Sequence, residues 1–130
     1  MIEFHLDSKS GVAPYLQLIH QVRHALRLGL LRTGDQLPTV KEVAGSLAIN
    51  PNTVLKAYRE LEYEELVAAK PGVGTFVTKT LSEQSIAAHQ QLSGELNAWI
   101  GRAQQAGLDF ESIEALFQRA LRSAAREEAV

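Results

Sequence analysis

Residues near the middle of the chain have the types and spacing needed to recognise nucleic acid. Asn52, Thr53 and Lys56 follow closely on the dipeptide Asn50-Pro51. An asparagine amide pairs bidentately with adenine, a threonine methyl contacts the thymine methyl, and a lysine reaches guanine or phosphate. Backbone N–H groups at a helix start also bind phosphate. The segment therefore predicts base contacts from Asn52 and Thr53 and a base or phosphate contact from Lys56, with Asn50 beside them.

Each of these residues also has a structural interpretation. Asn and Thr are common at helix starts, where they cap backbone N–H groups, and lysines are usually solvated. Arg59 fits a surface ion pair with a nearby glutamate better than a phosphate contact. Tyr15 and Tyr58 fit core or seam positions better than base-stacking positions. The functional interpretation of Asn52 and Lys56 therefore depends on the elements that position them.

Apolar spacing and capping signals predict three helices around this segment. The first begins at Pro14 and follows apolar residues at steps of 3, 3, 4 and 4 as far as Leu30. Thr39 and Glu42 have the spacing of a capping box before a short second helix. Asn50-Pro51 begins the third helix, with the asparagine as N-cap and the proline at its first position. The expected buried face of this third helix comprises Val54, Ala57, Tyr58 and Leu61.

Strands are predicted on both sides of these helices. The alternation of Ile2, Phe4 and Leu6 with polar residues indicates a short N-terminal strand. Residues 66–69 and 75–78 are predicted to form a hairpin, or wing, with a glycine-rich tip. Glycines let the backbone approach a phosphate or a narrow minor groove closely. The DNA contacts expected from the wing are Lys70, Gly72, Gly74 and Thr75, and those expected at the start of the second helix are Thr39 and Lys41.

Two further helices are predicted after residue 82. Gly107 ends the first of them and Asp109 caps the second. An isolated pair of helices with wide apolar faces is marginally stable, and packing against a second copy is the simplest remedy. Trp99 fits such an interface better than the wall of a ligand cage. The expected dimer interface comprises Leu92, Leu96, Trp99, Ile100, Ala103, Ile113, Leu116, Phe117 and Leu121.

The order of these elements predicts a mainly α fold. Residues 1–80 are expected to form a winged helix-turn-helix, and residues 81–130 a two-helix dimerisation region. The second helix of a helix-turn-helix lies in the DNA major groove with its N-terminal residues at the base edges. The expected partners are double-stranded DNA and a second copy of the chain. The segment from Thr78 to Glu83 is a candidate hinge.

Composition excludes several other classes of protein. The 130 residues include no cysteine, which excludes disulfides and thiolate metal sites and fits the cytoplasm. No apolar stretch reaches the roughly 18–20 residues of a membrane span, and no secretory signal is visible. A large two-domain enzyme is excluded by size. The net charge of −2 combines +1 over residues 1–80 with −3 over residues 81–130, so the whole-chain charge says little about one face.

Enzyme and metal chemistry have little support in the sequence. No nucleophile–base–acid set or pair of cleft carboxylates is evident, and Gly72-Val73-Gly74 lacks the third glycine of a dinucleotide fingerprint. His20 and His24 have the spacing of two metal ligands on one helix face, without a nearby carboxylate to complete a site. We therefore expect no enzyme activity, no metal and no cofactor. The residues do not indicate whether a small-molecule effector binds.

Several short motifs follow one another between residues 12 and 78. They are Pro14-Tyr15-Leu16-Gln17, Gly29-Leu30-Leu31, GDQLPTVKEVA at 34–44, INPNTV at 49–54, Ala57-Tyr58 with Leu61-Glu62, and GVGTFV at 72–77. In this order the motifs resemble the GntR family of bacterial transcriptional regulators, and within it the short YtrA-type subfamily. The resemblance implies a winged-helix DNA-binding domain and a C-terminal dimerisation region. It also implies a homodimeric repressor of its own operon, commonly one encoding an ABC transporter. A two-fold dimer in turn implies a palindromic operator.

The resemblance places DNA contacts at three positions: the start of the second helix, the start of the recognition helix and the wing tip. Thr39-Val40-Lys41 stands where the family usually has Ser-x-Arg, and lysine lacks the guanidinium fork for bidentate guanine recognition. Asn50-Pro51-Asn52-Thr53 stands where many members have Ser-Arg-x-Thr, and Lys56 is expected to supply part of the missing arginine's role.

The net acidity and the absent arginine support one alternative, a winged-helix module that binds protein instead of DNA.

Overall fold

The computed structural model describes residues 2–80 and 86–129. Over these residues the chain is mainly helical, with one two-stranded antiparallel sheet, which confirms the predicted fold class. The chain divides into two compact units, Met1–Ala87 and Ala88–Val130. The predicted boundary at residue 81 and the later half of the candidate hinge lie outside the described residues. The elements are α1 Pro14–Arg27, α2 Val40–Leu47, α3 Pro51–Tyr63, β1 Val67–Lys70, β2 Gly74–Val77, α4 Ile86–Gln105 and α5 Phe110–Ala129.

The core of the first unit forms where α1 packs against α3. Leu18, Val22 and Leu26 of α1 and Val54 and Leu61 of α3 are fully buried, and each contributes roughly 1.5–3 kcal/mol of stability through burial. The predicted apolar face of α3 is therefore confirmed. The same core includes Ile19, Ala25, Leu31, Leu37, Val43, Ala44, Ala57, Tyr58, Leu66, Val67 and Val77.

The N-terminal segment is not a strand, so that prediction is wrong. Its apolar residues are half-buried against the core, as the alternation indicates. Its backbone pairs with side chains instead of a neighbouring strand. The His5 N–H donates to Gln21 Oε1 (3.1 Å) and the His5 carbonyl accepts from Gln21 Nε2 (2.7 Å). Gln17 makes the same pair of bonds to Asp7, one helical turn away. The two glutamines of α1 thus replace a strand partner.

The C-terminal end of α1 also differs from its prediction. The helix ends at Arg27, because Gly29 adopts a left-handed conformation (φ +74°) that reverses the chain. The N–H groups of Leu30 and Leu31 both donate to the Ala25 carbonyl, at 2.8 and 3.2 Å. This reversal leaves the Leu30 side chain 74% exposed and buries Leu31. The last buried apolar residue of this region is therefore Leu31, and not Leu30 as the spacing predicts.

Local caps set the starts of α2 and α3. The predicted capping box is present, since Glu42 N donates to Thr39 Oγ1 (3.1 Å) and Thr39 N donates to Glu42 Oε1 (3.4 Å). Asn50 caps α3 by accepting from Asn52 N at 2.8 Å. Between the helices, Ala48 takes the left-handed conformation (φ 53°) usually filled by glycine. These features close the tight turn of a helix-turn-helix.

The predicted hairpin is present, with each strand shifted by one residue from its expected bounds. Val67 pairs with Val77 and Lys70 with Gly74. The segment before α2 adds a third line of pairing, as Gln36 bridges Phe76 and the flanking bonds join residues 34–37 to β2. The wing is therefore tied to the segment that leads into α2, an attachment that the sequence analysis did not anticipate.

The second unit is a pair of helices, α4 and α5, joined by a short turn. Gly107 (φ +94°) ends α4, and the Asp109 side chain accepts from Ser112 N at 2.8 Å at the start of α5, so both predicted signals are confirmed. This hydrogen bonding to Ser112 lowers the pKa of Asp109. Ala103 and Ile113 are buried within the unit. Trp99 and Phe117 join α4 to α5 through rings whose centroids are 5.2 Å apart.

Candidate nucleic-acid interface

The start of α3 presents its polar side chains away from the core. Asn52 and Lys56 are exposed, and Thr53 is half-buried. The face behind them is the buried stripe of Val54, Ala57, Tyr58 and Leu61. Residues four apart lie on the same face of a helix, so Asn52 and Lys56 form one exposed row. The exposed polar row predicted for the start of α3 is therefore present.

A buried hydrogen bond attaches α3 to the segment before α2. The Tyr58 hydroxyl donates to the Pro38 carbonyl at 2.5 Å, and the tyrosine is 4% exposed. Burial raises the pKa of Tyr58 above its ordinary value, and the negative charge of Glu42 raises it further. The hydroxyl therefore stays protonated and remains a donor. This bond confirms the structural interpretation of Tyr58 and ties α3 to the segment that leads into α2.

The two caps leave donors available at the helix starts. Thr39 Oγ1 and Asn50 Oδ1 each accept a backbone N–H of their own helix. The Thr39 hydroxyl hydrogen and the Asn50 amide NH₂ are not used in these bonds. Lys41 is exposed in the first turn of α2. Phosphate oxygens accept hydrogen bonds, so these remaining donors have the chemistry that phosphate contacts require.

Two of the predicted lysines lie over aromatic rings. Lys56 Nζ is 3.9 Å from the centroid of the Tyr15 ring in α1, and Lys70 Nζ is 4.8 Å from that of Phe76 in β2. Both rings are half-buried. Sequence reasoning placed Tyr15 as a core or seam residue and did not connect it with Lys56. The two residues are distant in the chain, and only the packing of α1 on α3 brings them together.

Glycines and a glutamine shape the wing tip. Gly72 and Gly74 have φ values of +74° and +146°, which L-residues rarely adopt. Gln36 Nε2 donates to the Val73 carbonyl at 3.3 Å and lies where a side chain on Gly74 would stand. Thr75 is half-buried, and its carbonyl accepts from the Leu37 N–H. Gln36 is a residue that sequence reasoning missed as part of the tip, although it lies within the quoted motif.

The acidic run at the end of α3 forms an ion pair different from the expected one. Arg23 of α1 donates to Glu64 through Nε (3.2 Å) and Nη2. Arg59 is exposed, and the ion pair found within residues 2–80 and 86–129 does not involve it. The predicted pairing of Arg59 is therefore wrong. The packing of α1 against α3 decides this outcome, because it brings the Arg23 guanidinium of α1 to Glu64.

The residues predicted for a dimer interface divide into three groups by exposure. Ala103 and Ile113 are buried between the two helices of their own unit. Trp99, Ile100 and Phe117 are half-buried. The four leucines are exposed; they are Leu92 (59%), Leu96 (45%), Leu116 (43%) and Leu121 (70%). We refer to these seven half-buried or exposed residues as the C-terminal apolar face.

The two histidines of α1 lie close together. The imidazole rings of His20 and His24 stack with centroids 6.4 Å apart. Within the part of the chain that the structure describes, no group of three or more His, Asp or Glu side chains is placed to hold a metal ion. No described helix combines the length and apolar composition that a membrane crossing requires.

A family model, a related sequence and two solved structures all match this chain to transcription regulators. Residues 14–77 match the family model described as bacterial regulatory proteins, gntR family. The HTH-type transcriptional repressor YtrA of Bacillus subtilis (strain 168) is 33% identical over 109 residues, covering 83% of this chain and 84% of that protein. A transcriptional antiterminator from Listeria monocytogenes EGD-e superposes with a TM-score of 0.58 at 28% identity, over 92% and 90% of the two chains. YtrA from Sulfolobus acidocaldarius, a GntR-family transcription factor, gives 0.54 at 27% identity, over 73% and 97%.

These relatives are transcription regulators rather than enzymes. The match begins at the first residue of α1 and ends at the last residue of β2, so it covers the whole helix-turn-helix and its wing. The comparisons therefore favour DNA binding over a winged-helix module that binds only protein. The chain belongs to the GntR family of bacterial regulatory proteins, is similar to its YtrA-type members, and is a DNA-binding transcriptional regulator.

Proposed function

We propose that this regulator is a homodimeric repressor that reads a palindromic operator with the start of α3 and acts on its own operon. The observation on which the proposal depends is the exposed row of Asn52 and Lys56, held from behind by the buried stripe of α3. A rigid helix with polar side chains on its outer face can discriminate bases in the major groove. Such a protein acts on chromosomal DNA, which implies a cytoplasmic location.

Base recognition is assigned to Asn52, with Thr53 beside it. The asparagine is exposed and its amide is not the cap of the helix, since that role belongs to Asn50. Its oxygen and its NH₂ are therefore available to pair with adenine N6 and N7. Thr53 is half-buried, which restricts it to a methyl or hydroxyl contact at the groove edge.

Backbone contacts are assigned to donors on both sides of this row. Lys41 and Thr39 stand at the start of α2, and Lys56 lies one turn along α3 from Asn52. The wing contributes Lys70 and the backbone of its glycine tip; the residues assigned there are Gly72, Gly74 and Thr75. Phosphate contacts fix register and orientation on the duplex while bases supply specificity.

Dimerisation is assigned to the C-terminal apolar face. Of the described residues of this unit, only Ala103 and Ile113 are buried, whereas Leu92, Leu96, Leu116 and Leu121 are each more than 40% exposed. Two helices with so little buried surface do not form a stable core alone. A second copy offers an identical face, and a two-fold interface is self-complementary. Two recognition helices related in this way reach half-sites about one helical turn apart, roughly 34–36 Å.

The operator proposal is tested by a salt-titrated binding assay with the full chain. The probes are the DNA immediately upstream of its own gene and a shuffled sequence of the same composition. We expect preference for the upstream DNA and an affinity that falls steeply with salt, because neutralised phosphates release counterions. Equal binding to the two probes at every salt concentration would contradict an operator at that position.

Base reading is tested by substituting Asn52. Asn52→Ala should relax specificity at one base pair by about 1–3 kcal/mol. Glu60→Ala is the matched control, because Glu60 is exposed near the other end of the same helix. The control should leave the ranking of operator variants unchanged. An Asn52→Ala protein that ranks all single-base operator variants as the unsubstituted chain does would remove Asn52 from the base-reading set.

The dimer proposal is tested by light scattering at micromolar concentration. The unsubstituted chain should have twice the mass of the 14.3 kDa monomer. Leu96→Glu should give the monomer mass, because it places a charge in the apolar face. Gln91→Glu is the control, since Gln91 is exposed on another side of α4. A monomeric unsubstituted chain, or a Leu96→Glu protein that remains dimeric, would be evidence against this interface.

A further inference from the structure

The contact between Tyr15 and Lys56 joins two elements at the proposed DNA face. Tyr15 lies in the first turn of α1, where Pro14 precedes it, and its ring packs against the core. Lys56 lies on the exposed row of α3, and its Nζ is 3.9 Å from the ring centroid. A lysine ammonium within about 6 Å of an aromatic face is attracted by the ring's negative quadrupole. The distance is therefore well inside the range of a cation–π contact.

We propose that Tyr15 is a positioning residue for Lys56, holding its ammonium at the DNA face for contact with a backbone phosphate. This inference rests on the proposed DNA-reading role of α3. A free lysine loses much of its rotamer freedom when it binds. A ring anchored to the core reduces that loss, because the ammonium is already held near one position. The ring occupies one side of the ammonium, so the N–H groups on its other side remain available to a phosphate oxygen.

The wing shows a second instance of the same arrangement. Lys70 Nζ is 4.8 Å from the centroid of Phe76, whose ring is half-buried in β2. Both lysines belong to the set predicted from sequence to contact DNA. Within residues 2–80 and 86–129 these are the two lysine–ring contacts found, and Lys41 does not share the feature. Lys41 therefore provides an internal comparison: a lysine at the same proposed surface without a ring beneath it.

The contact itself is tested without DNA by NMR of the full chain. Protons of the Lys56 side chain that lie over the Tyr15 ring should be shifted upfield by its ring current. Tyr15→Phe should retain the shift, because it keeps the ring and removes only the hydroxyl. Tyr15→Leu should abolish it. An unshifted Lys56 in the unsubstituted chain, or the same shift in Tyr15→Leu, would overturn the contact.

The positioning role is tested by a double-mutant cycle with a mixed-sequence DNA duplex as the probe. Tyr15→Leu should weaken binding about two- to five-fold, the range expected for an exposed cation–π contact. The same change in a Lys56→Met background should have no effect on the dissociation constant, and Tyr15→Phe should bind as the unsubstituted chain does. As a control, the effect of Lys41→Met should be the same with and without Tyr15→Leu.

Each outcome of the cycle decides the role of Tyr15. Equal weakening by Tyr15→Leu in both backgrounds would assign it to packing alone, and no weakening in either would remove it from the interface. Circular dichroism of each variant identifies any that fail to fold; if Tyr15→Leu is one of them, the ring-current shift of Lys56 in the unsubstituted chain and in Tyr15→Phe still decides whether the contact forms. Because the duplex has a mixed sequence, a chain that binds it without preferring its upstream DNA contradicts the proposed operator and leaves this inference intact. No binding at low salt would overturn the phosphate role of Lys56.

Discussion

The hydrogen bond between Tyr58 and Pro38 can be removed by a single change, Tyr58→Phe. The substitution keeps the ring in the core and deletes only the hydroxyl. That hydroxyl donates to the Pro38 carbonyl at 2.5 Å, where both residues are buried. The change therefore isolates one bond between α3 and the segment that leads into α2.

The expected loss of stability follows from the burial of both partners. A neutral hydrogen bond contributes a net of about 0.5–1.5 kcal/mol to stability, but a buried acceptor left without a donor costs about 1–3 kcal/mol. Tyr58 is only 4% exposed, so water has little access to the freed carbonyl. We therefore expect Tyr58→Phe to lower the free energy of unfolding by about 1–3 kcal/mol. For a domain of this size each kcal/mol lowers Tm by about 4–8 °C.

The assay is urea unfolding of the full chain followed by far-UV circular dichroism, with the m-value checked for constancy. Tyr63→Phe is the matched control, since Tyr63 is on the same helix and is 87% exposed. The control should change the free energy of unfolding by less than about 0.5 kcal/mol. A Tyr58→Phe protein as stable as the unsubstituted chain, or one no less stable than the control, would refute the stabilising role of the bond.

Three further predictions follow from the backbone and from the same tyrosine. Tyr58 has a higher pKa in the folded chain than the value near 10 that it has when unfolded, so the unfolded state loses its proton first as pH rises. The free energy of unfolding should therefore be highest below pH 10 and fall above it, and it should fall less in Tyr58→Phe. Urea unfolding across that pH range measures both. Ala48→Gly should stabilise the chain by about 0.5–1 kcal/mol, because φ 53° disfavours a side chain; a lower Tm would show that the turn does not hold this conformation. Gly74→Ala should weaken DNA binding more than Gly72→Ala, because φ +146° at Gly74 lies outside the left-handed region that Gly72 occupies at φ +74°, and its Cβ would also displace the Gln36 amide; equal binding by the two variants would contradict a constrained tip.

Much of the fold was predictable because its signals are local. Thr39 with Glu42, Asn50 and Asp109 each satisfy backbone N–H groups within one turn of themselves, so residue type and spacing suffice to place a helix start. Gly107 ends α4 for a similarly local reason. The polar row at the start of α3 was also predictable, because helical periodicity assigns the opposite face to the core.

The errors occur where a second element decides the outcome. The alternating N-terminal segment has the pattern of a strand, but the partner it meets is a pair of glutamine side chains on α1. Leu30 fits the helical stripe, yet the reversal at Gly29 exposes it and buries Leu31 in its place. An alternation or a periodicity specifies which face is apolar and does not specify what lies against it.

The sequence by itself determined the helices, their caps, the hairpin and the exposed residues proposed to meet DNA, because those features depend on neighbours within one or two turns. The tertiary structure decided which distant side chains meet. Packing of α1 on α3 pairs Arg23 with Glu64 and places Lys56 over Tyr15. Pairing along β2 brings Gln36 to the wing tip. These contacts join residues far apart in the chain, and their formation depends on the geometry of the packed core rather than on any local pattern.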